Sequence, residues 1–275
     1  MNERKPATTR FSVTGQPVIR LVDLFAERTQ YTRKWILPFN SLSLYLEDDP
    51  SDPSWVELPE KNERFELKKD CISFTTYATP MILHYTPAHL HFCIHFNCEI
   101  LPGIDLFFGI RERHMFMDPE LRKEMLAIYT EPDPLRRLIM AESAALKITL
   151  RFWPEKMPLN MSRMADFEPL LRYIRKNLVS HPDIPEMAAV MGWSDAHFAR
   201  TFREVFSITP KQYLNRELFA KAISLLKDPD KTVKEIAEEL GFSSEFNFSR
   251  FIRQCSGISP SALRKGNKNP FYIRK

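Results

Sequence analysis

The stretch IPEMAAVMGWSDAHFARTFREVFSITPKQYL, residues 184–214, returns in altered form as VKEIAEELGFSSEFNFSRFIRQCSGISPSAL, residues 233–263. At an offset of 49, Ala188, Gly192, Trp193 and Ser194 correspond to Ala237, Gly241, Phe242 and Ser243. At an offset of 50, Phe198, Arg200, Phe202, Arg203, Ile208 and Pro210 correspond to Phe248, Arg250, Ile252, Arg253, Ile258 and Pro260. Agreement in both residue type and spacing indicates one structural unit present twice.

Each copy predicts a short helix, a glycine turn and a longer helix. Thr232 and Glu235 have the spacing of a capping box, so a helix begins near residue 233. Asp183 and Pro185 begin the corresponding helix of the first copy. Gly192 and Gly241 end these helices, because glycine accepts the left-handed backbone of a tight stop. This is the pattern of a helix-turn-helix, whose second helix can lie in the major groove of DNA.

The two longer helices divide their faces in the same way. An apolar stripe points inward in each: Phe198, Phe202 and Val205, then Phe248, Ile252 and Cys255. The opposite face carries Ala196, Ala199, Arg200 and Arg203, then Phe246, Ser249, Arg250 and Arg253. Arginine can bind guanine through two hydrogen bonds, and a phenylalanine suits a thymine methyl. A solvated basic face is the alternative, but two copies with one pattern favour DNA binding.

GWSDAHFARTFREVFSITPKQYL and GFSSEFNFSRFIRQCSGISPSALRK resemble the tandem helix-turn-helix module of AraC/XylS-type regulators over roughly residues 164–268. The resemblance implies two subdomains joined by a long helix, for which residues 211–228 (KQYLNRELFAKAISLLKD) match, with Leu214, Leu218, Ala222 and Leu225 on one side. It also implies recognition helices at about 194–206 and 244–256 in successive major grooves, ~34 Å apart. The DNA-binding candidates are Ala196, His197, Ala199, Arg200, Arg203, Glu245, Phe246, Asn247, Ser249, Arg250 and Arg253. Two alanines on the first helix depart from common members, so fewer base hydrogen bonds are expected there.

The rest of the chain differs in composition. Residues 1–160 hold 20 Lys+Arg and 22 Asp+Glu, whereas residues 161–275 hold 19 and 13. A basic module therefore follows a slightly acidic one, which suggests a polyanion-binding end and a separate end with another task. The four cysteines form no CxxC pair and are expected to be reduced. No apolar run is long enough to span a membrane, and the polar start lacks a secretion signal, so a cytoplasmic location is expected.

Short β-rich runs precede two helical segments. SLSLYLE (41–47), RFELKKDCISF (64–74) and MILHY (81–85) predict strands, while 118–129 and 133–152 each follow an Asp-Pro that can cap and begin a helix. The prolines of WPEKMPLN (153–160) suggest a linker. We therefore expect an α+β multidomain chain with a β-sandwich or barrel (1–117), a helical region (118–160) and an all-α tandem helix-turn-helix domain (161–275). The family resemblance implies that the β-domain is cupin-like and senses an effector, and that the helices of 118–160 serve as a dimerisation or linker region.

The run HLHFCIHFNCE, residues 89–99, alternates as a strand with histidines on one face. Three interpretations remain open: a polar face toward solvent or a neighbouring strand, the lining of a small-molecule pocket, or a metal site with help from His84 or His114. His89 and His91 lack the glutamate spacing of the cupin metal pattern, so no metal or cofactor is predicted. The candidate effector-binding residues are Trp35, Tyr45, His89, His91 and His95, and Trp55 is a further stacking surface for a sugar.

These features predict a transcription regulator and not an enzyme. The family resemblance implies an activator, while the residues themselves leave activation or repression open. Its expected partners are double-stranded promoter DNA, a small effector (by family analogy a carbohydrate), a second copy in a homodimer, and RNA polymerase, with no membrane. A metal-dependent cupin enzyme fused to a DNA-binding module is the rival hypothesis. A sensor domain that has lost its ligand and responds to a partner protein is a third.

Overall fold

The computed structural model describes residues 17–28, 30–155, 161–257 and 259–266. Within them, ten antiparallel strands form a β-sandwich, and helices follow to the end. The strands are β1 (Val18–Arg28), β2 (Tyr31–Ile36), β3 (Asn40–Glu47), β4 (Trp55–Leu58), β5 (Glu63–Glu66), β6 (Ile72–Thr75), β7 (Pro80–Tyr85), β8 (Leu90–Leu101), β9 (Ile104–Asp105) and β10 (Arg113–Phe116).

The strands form two separate sheets. The large sheet has the order β1-β8-β3-β6-β10, with β9 paired to β8, and the small sheet has the order β2-β7-β4-β5. Of the two predicted forms, the sandwich is therefore the one observed. The predicted run 64–74 is divided between two strands in different sheets, β5 and β6. Asp70, between them, has a positive φ of 66°, which turns the chain from one sheet to the other.

The outer face of the large sheet is apolar and is covered by two helices. Leu42 and Phe74 of this face are fully buried against a cluster that includes Met125 of α1 (Pro119–Thr130) and Ile148 of α2 (Pro134–Arg151). Both helices begin as predicted, because an Asp-Pro supplies a cap and a first helical residue. The Asp118 carboxylate accepts from the Leu121 amide at 2.9 Å, and Asp133 accepts from the Arg136 amide at 2.7 Å.

The C-terminal region is helical. Residues 153–155 of the suggested linker follow α2, and residues 156–160 lie outside the described part of the chain. The helices are α3 (Met161–Ala165), α4 (Glu168–Lys176), α5 (Ile184–Met191), α6 (Asp195–Phe206), α7 (Pro210–Leu226), α8 (Val233–Glu239), α9 (Glu245–Ser256) and α10 (Pro260–Gly266). The pairs α5–α6 and α8–α9 are the two predicted helix-turn-helix units.

Helix α7 joins the two units and belongs to the cores of both. Its first half places Tyr213, Leu214 and Leu218 in the core of the first unit. Its second half places Phe219, Ala222, Ile223 and Leu226 in the core of the second unit, with Leu225 half-buried beside them. Burial on more than one side explains why the single apolar stripe expected from the sequence accounts for only part of the buried surface.

The second unit also packs directly on the sandwich. Phe39, in the connection between β2 and β3, is buried in the same cluster as Phe219 and Ile223. A second contact joins Tyr213 to the turn before β9, where its hydroxyl donates to the Pro102 carbonyl at 2.7 Å. None of the helices in the described residues has the length and apolar character that crossing a membrane requires.

Candidate DNA-binding surface and inter-sheet cavity

The two candidate recognition helices are built in the same way. Ser194 caps α6 by accepting from the His197 amide at 3.4 Å, and Ser244 caps α9 by accepting from the Asn247 amide at 3.2 Å. Phe198, Phe202, Phe248 and Ile252 are fully buried, as the inward stripe predicts. Each helix is thereby fixed by its apolar side, and its opposite side faces outward.

Every predicted DNA-contacting residue lies on these outward faces. Ala199, Asn247 and Ser249 are half-buried, and Ala196, His197, Arg200, Arg203, Glu245, Phe246, Arg250 and Arg253 are exposed. The phenyl group of Phe246 is notable because 73% of its surface is accessible to water. A large aromatic side chain exposed to this extent is unusual on a face that contacts only solvent.

The arginines on these faces differ in their partners. Arg200 lies 4.0 Å from the Glu204 carboxylate and 3.4 Å from the His197 ring. Among the described residues, no carboxylate forms an ion pair with Arg203, Arg250 or Arg253. Three exposed guanidinium groups, carried by two equivalent helices, therefore form no ion pair with a described residue.

A cavity lies between the two sheets, and its walls are more polar than those of an ordinary sandwich core. The inner face of the large sheet contributes Ser41, Ser43, Tyr45, Thr75, His91, Cys93, His95 and Arg113. The small sheet contributes Tyr31, Arg33, Trp35, Met81, Leu83 and Tyr85, and the helical region closes one side with Phe219, Ile223, Lys227 and Leu263. Its volume is about 80 Å³, which is room for several waters or for a ligand of only a few heavy atoms.

The histidine-bearing face of β8 therefore points inward. His91 and His95 line the cavity, and burial lowers the pKa of both well below the usual value of histidine. At neutral pH both rings are uncharged and can still donate or accept one hydrogen bond at each nitrogen. The buried Nδ1 atom of His91 has no hydrogen-bond partner among the described residues.

Not every predicted effector residue reaches this cavity. Trp35, Tyr45, His91 and His95 line it, whereas His89 does not; its ring is fully buried and stacks on Tyr85 at 4.5 Å between centroids. Trp55 is on the outer side of the small sheet, stacked on His84 at 5.0 Å.

The histidines considered for a metal do not converge. His84 hydrogen bonds to the Thr32 hydroxyl at 2.7 Å on the outer side of the small sheet. His114 stacks on Phe152, on the opposite face of the large sheet from His91. In the described part of the chain, no group of three or more histidine, cysteine or acidic side chains is arranged to hold a metal ion.

Sequence reasoning missed the charged members of the cavity. Arg113 and Arg33 line it, as does the buried pair formed by the Lys227 ammonium and the Asp23 carboxylate at 3.0 Å. Alternation along β2 could have indicated Arg33. Tyr31, Arg33 and Trp35 share one face of this strand, so an inward-facing arginine between two aromatic residues could be predicted from the sequence. Lys227 could not be found in this way, because its partner lies about two hundred residues earlier in the chain.

Comparisons with known proteins agree with this geometry. A family model described as a helix-turn-helix domain matches residues 187–266, which span α5 to α10. The HTH-type transcriptional regulator YisR of Bacillus subtilis is 27% identical over 158 residues, covering 57% of this chain and 54% of the relative. YidL of Escherichia coli, another HTH-type transcriptional regulator, is 33% identical over 98 residues, covering 36% of this chain and 33% of the relative. Residues 187–266 therefore form a helix-turn-helix domain of the type found in AraC/XylS transcription regulators.

The fold extends beyond the matched domain. An apo structure of the ToxT K231A variant from Vibrio cholerae superposes with a TM-score of 0.64 at 10% identity, covering 92% of this chain and 99% of ToxT. At that identity the likeness concerns the fold alone: an antiparallel β-sandwich followed by a helical region. The predictions of this fold class and of an AraC/XylS-type helix-turn-helix regulator are confirmed. The chain spans about half or less of the length of the curated relatives that were matched first.

Proposed function

We propose that this AraC/XylS-type protein reads a promoter with α6 and α9 and responds to a small molecule bound between the two sheets. The observation that carries the DNA-binding part is the repeated outward face, where each helix has an exposed arginine that pairs with no described carboxylate. Recognition helices of a tandem pair enter major grooves about one helical turn apart, ~34 Å. Base contacts are assigned to Ala196, Ala199, Arg200, Glu245, Phe246, Ser249 and Arg250, and phosphate or flanking contacts to His197, Arg203, Asn247 and Arg253.

The first helix contributes less to base readout than the second. Ala196 and Ala199 can offer only methyl contacts, and Arg200 is shared with Glu204 and His197. On α9, Arg250 forms no ion pair within the described part of the chain, and Phe246 is available for a thymine methyl. Sequence discrimination should therefore be stronger in the half-site that α9 contacts.

The effector part rests on the polar, enclosed cavity at the junction of the sandwich and the DNA-binding region. A ligand there would contact both regions, because α7 and α10 close one side. The ligand could favour one arrangement of the two regions over another only if its affinity for the two arrangements differs. A solved structure of ToxT holds an unsaturated fatty acid, which supports a small-molecule site in this fold. A carbohydrate, expected from the family resemblance, is one class of effector that the cavity hydroxyls could bind.

Dimerisation is assigned to α2. This helix has 18 residues, about 27 Å in length, and buries small residues such as Ala141 and Ala144 against the sheet. Its other side carries an exposed apolar stripe: Leu135, Leu138, Ile139, Leu146 and Leu150, followed by Trp153. A two-fold axis would place the same apolar stripe of a second copy against this one. The partner that fits this stripe is therefore α2 of a second copy. Such a dimer could present four recognition helices to DNA and to RNA polymerase.

The DNA-binding proposal is tested by selecting bound sites from random duplexes and measuring affinity by gel shift. Arg250→Ala should weaken binding to the selected site by about 1–3 kcal/mol, because a bidentate base contact is lost. Binding to unrelated duplex of the same length should change much less. Phe246→Ala should relax preference at one base pair.

Arg64→Ala is the matched control, since Arg64 is an exposed arginine of β5 paired with Glu57 and remote from α9. Equal losses on selected and unrelated DNA would assign Arg250 to a phosphate. If Arg250→Ala loses affinity for neither DNA, Arg250 and its face of α9 do not contact DNA.

A further inference from the structure

Arg113 is a buried cation that forms no ion pair with any described residue. Only 8% of the residue is exposed, and its guanidinium lies on the inner face of the large sheet. Its partners are three neutral hydroxyls: Nη1 donates to Thr75 Oγ1 at 2.6 Å, and Nη2 donates to Ser73 Oγ at 3.0 Å and to the Tyr45 hydroxyl. Among the described residues no carboxylate forms an ion pair with it. Such a charge is costly to bury unless a counter-charge reaches it.

The guanidinium also retains donors that no described residue uses. Its Nε atom is buried and has no hydrogen-bond partner. A guanidinium has five N–H groups, and three are accounted for by the hydroxyls. On the same inner face of the large sheet, His91 of β8 has a buried Nδ1 atom that is likewise without a partner among the described residues. Both residues line the cavity between the sheets.

The rest of the lining fixes the charge that this space can accept. The carboxylates are Asp23, which is paired with Lys227 at 3.0 Å, and Glu27. The remaining cation is Arg33, whose guanidinium stacks on Tyr31 and Trp35 at 3.9 and 3.6 Å and forms no ion pair with a described residue. Because the lining already contains acidic side chains, its net positive charge is small. It suits a ligand with a single negative charge better than a phosphate dianion.

We infer that the molecule bound between the sheets is a compact organic acid whose carboxylate pairs with Arg113. This rests on the proposed function, in which the cavity is the effector site, and it names the chemical class of the effector. The carboxylate accepts from the Arg113 guanidinium and from His91, while Trp35, Tyr45 and Tyr85 pack on the body of the molecule. A sugar acid satisfies both this charge and the expected carbohydrate; a neutral sugar leaves the guanidinium without an anion.

The test compares matched acids and amides on the purified full chain, so that shape stays constant while charge changes. The probes are butyrate, benzoate, phenylacetate and gluconate, the corresponding primary amides, glucose, and inorganic phosphate. At least one carboxylate should raise the melting temperature by about 2 °C or more in a dose-dependent way, with no comparable effect of its amide. Titration calorimetry of that acid should then show a loss of affinity of at least about tenfold in Arg113→Gln.

Two further variants separate binding from folding. Arg113→Lys keeps the charge and should bind the acid more tightly than Arg113→Gln does. Arg111→Gln, which removes an exposed arginine of the preceding turn that pairs with Glu60, should bind like the unaltered protein. The inference is overturned if no carboxylate stabilises the unaltered protein, if amide and acid act equally, if phosphate alone acts, or if Arg113→Gln retains full affinity.

The identity of the effector and its regulatory effect can be tested separately. If an acid binds through Arg113 but leaves affinity for the selected DNA unchanged, the inference stands and the regulatory part of the proposed function fails. If glucose or an amide binds and changes DNA affinity while the acids do nothing, the proposed function stands and the inference fails.

Discussion

At the scale of single residues, the histidine-bearing strand β8 has two distinct faces. Both are buried, because helices cover one and the small sheet covers the other. Alternation therefore could not tell which face lines a cavity. The position of the second sheet decides which face of β8 lines the cavity, and the periodicity of one strand carries no information about that position.

Glycines at equivalent positions of the repeat lead to a paired prediction. Gly192 and Gly241 have φ values of 67° and 74°, so alanine is strained at both. A Cβ at Gly192 meets nothing within 4 Å, whereas one at Gly241 would lie 1.9 Å from the Val179 carbonyl oxygen. Gly192→Ala should lower the free energy of unfolding by about 1 kcal/mol, and Gly241→Ala by about 3 kcal/mol or more.

Chemical denaturation of the two variants measures this difference, with Gly257→Ala as a control that has a positive φ and open space. Equal losses for Gly192→Ala and Gly241→Ala would show that the Val179 segment moves away at little cost.

At the scale of elements, helices were predicted more closely than strands. Thr232 and Glu235 form the expected capping box, with the Glu235 amide 3.1 Å from the Thr232 hydroxyl. A cap is decided by residues within one turn, so it is visible in the sequence. Strand pairing is decided by residues far apart in the chain. The run 64–74 therefore looked continuous, although its ends belong to different sheets.

The exposed stripe of α2 makes a prediction about assembly. Ile139→Lys combined with Leu146→Lys places two charges on the stripe, where each residue is at least half exposed. Neither residue supports the core, so the fold should persist while the proposed dimer dissociates, because buried unpaired ammonium groups are costly. Light scattering after size exclusion should give a mass near 32.3 kDa for the variant and near twice that for the unaltered chain.

Lys123→Glu on the exposed side of α1 is the control for a change of surface charge on a neighbouring helix. A monomeric unaltered chain at micromolar concentration, or an unchanged mass for the double variant, would remove α2 as the dimer interface.

At the scale of the whole molecule, the arrangement of the two regions could not be foreseen. The Lys227 ammonium pairs with Asp23 at 3.0 Å and donates to the Val22 carbonyl at 2.7 Å. Phe39 enters the core of the second unit. These contacts join residues about two hundred positions apart, and each residue taken alone resembles an ordinary surface or core residue. Composition predicts the order of the domains. It does not predict that α7 and α10 form one wall of the cavity.

A buried carboxyl group at this junction makes the whole molecule sensitive to pH. Glu217 of α7 lies 3.6 Å from Arg175, which also bonds to Glu99 of the sandwich, while Arg20 donates to Glu99 at 2.6 Å. Burial raises the pKa of Glu217 to about 6, in spite of the attraction of Arg175. The folded protein therefore holds this proton more tightly than the unfolded chain does, where the pKa is the usual 4.5. The stabilising contribution is fully present below about pH 4.5 and is lost as pH rises through about 6.

Glu217→Gln keeps the shape of the side chain and removes the ionisation. The difference in free energy of unfolding between the unaltered protein and this variant should change by about 2 kcal/mol between pH 4 and pH 7, in the direction that favours the variant at higher pH. Urea denaturation at several pH values measures it, with Glu168→Gln, a half-buried glutamate of α4 that pairs with Arg172, as the matched control. Parallel curves for the unaltered protein and Glu217→Gln would mean that Glu217 stays ionised throughout, held by Arg175. The junction would then owe its pH response to other groups.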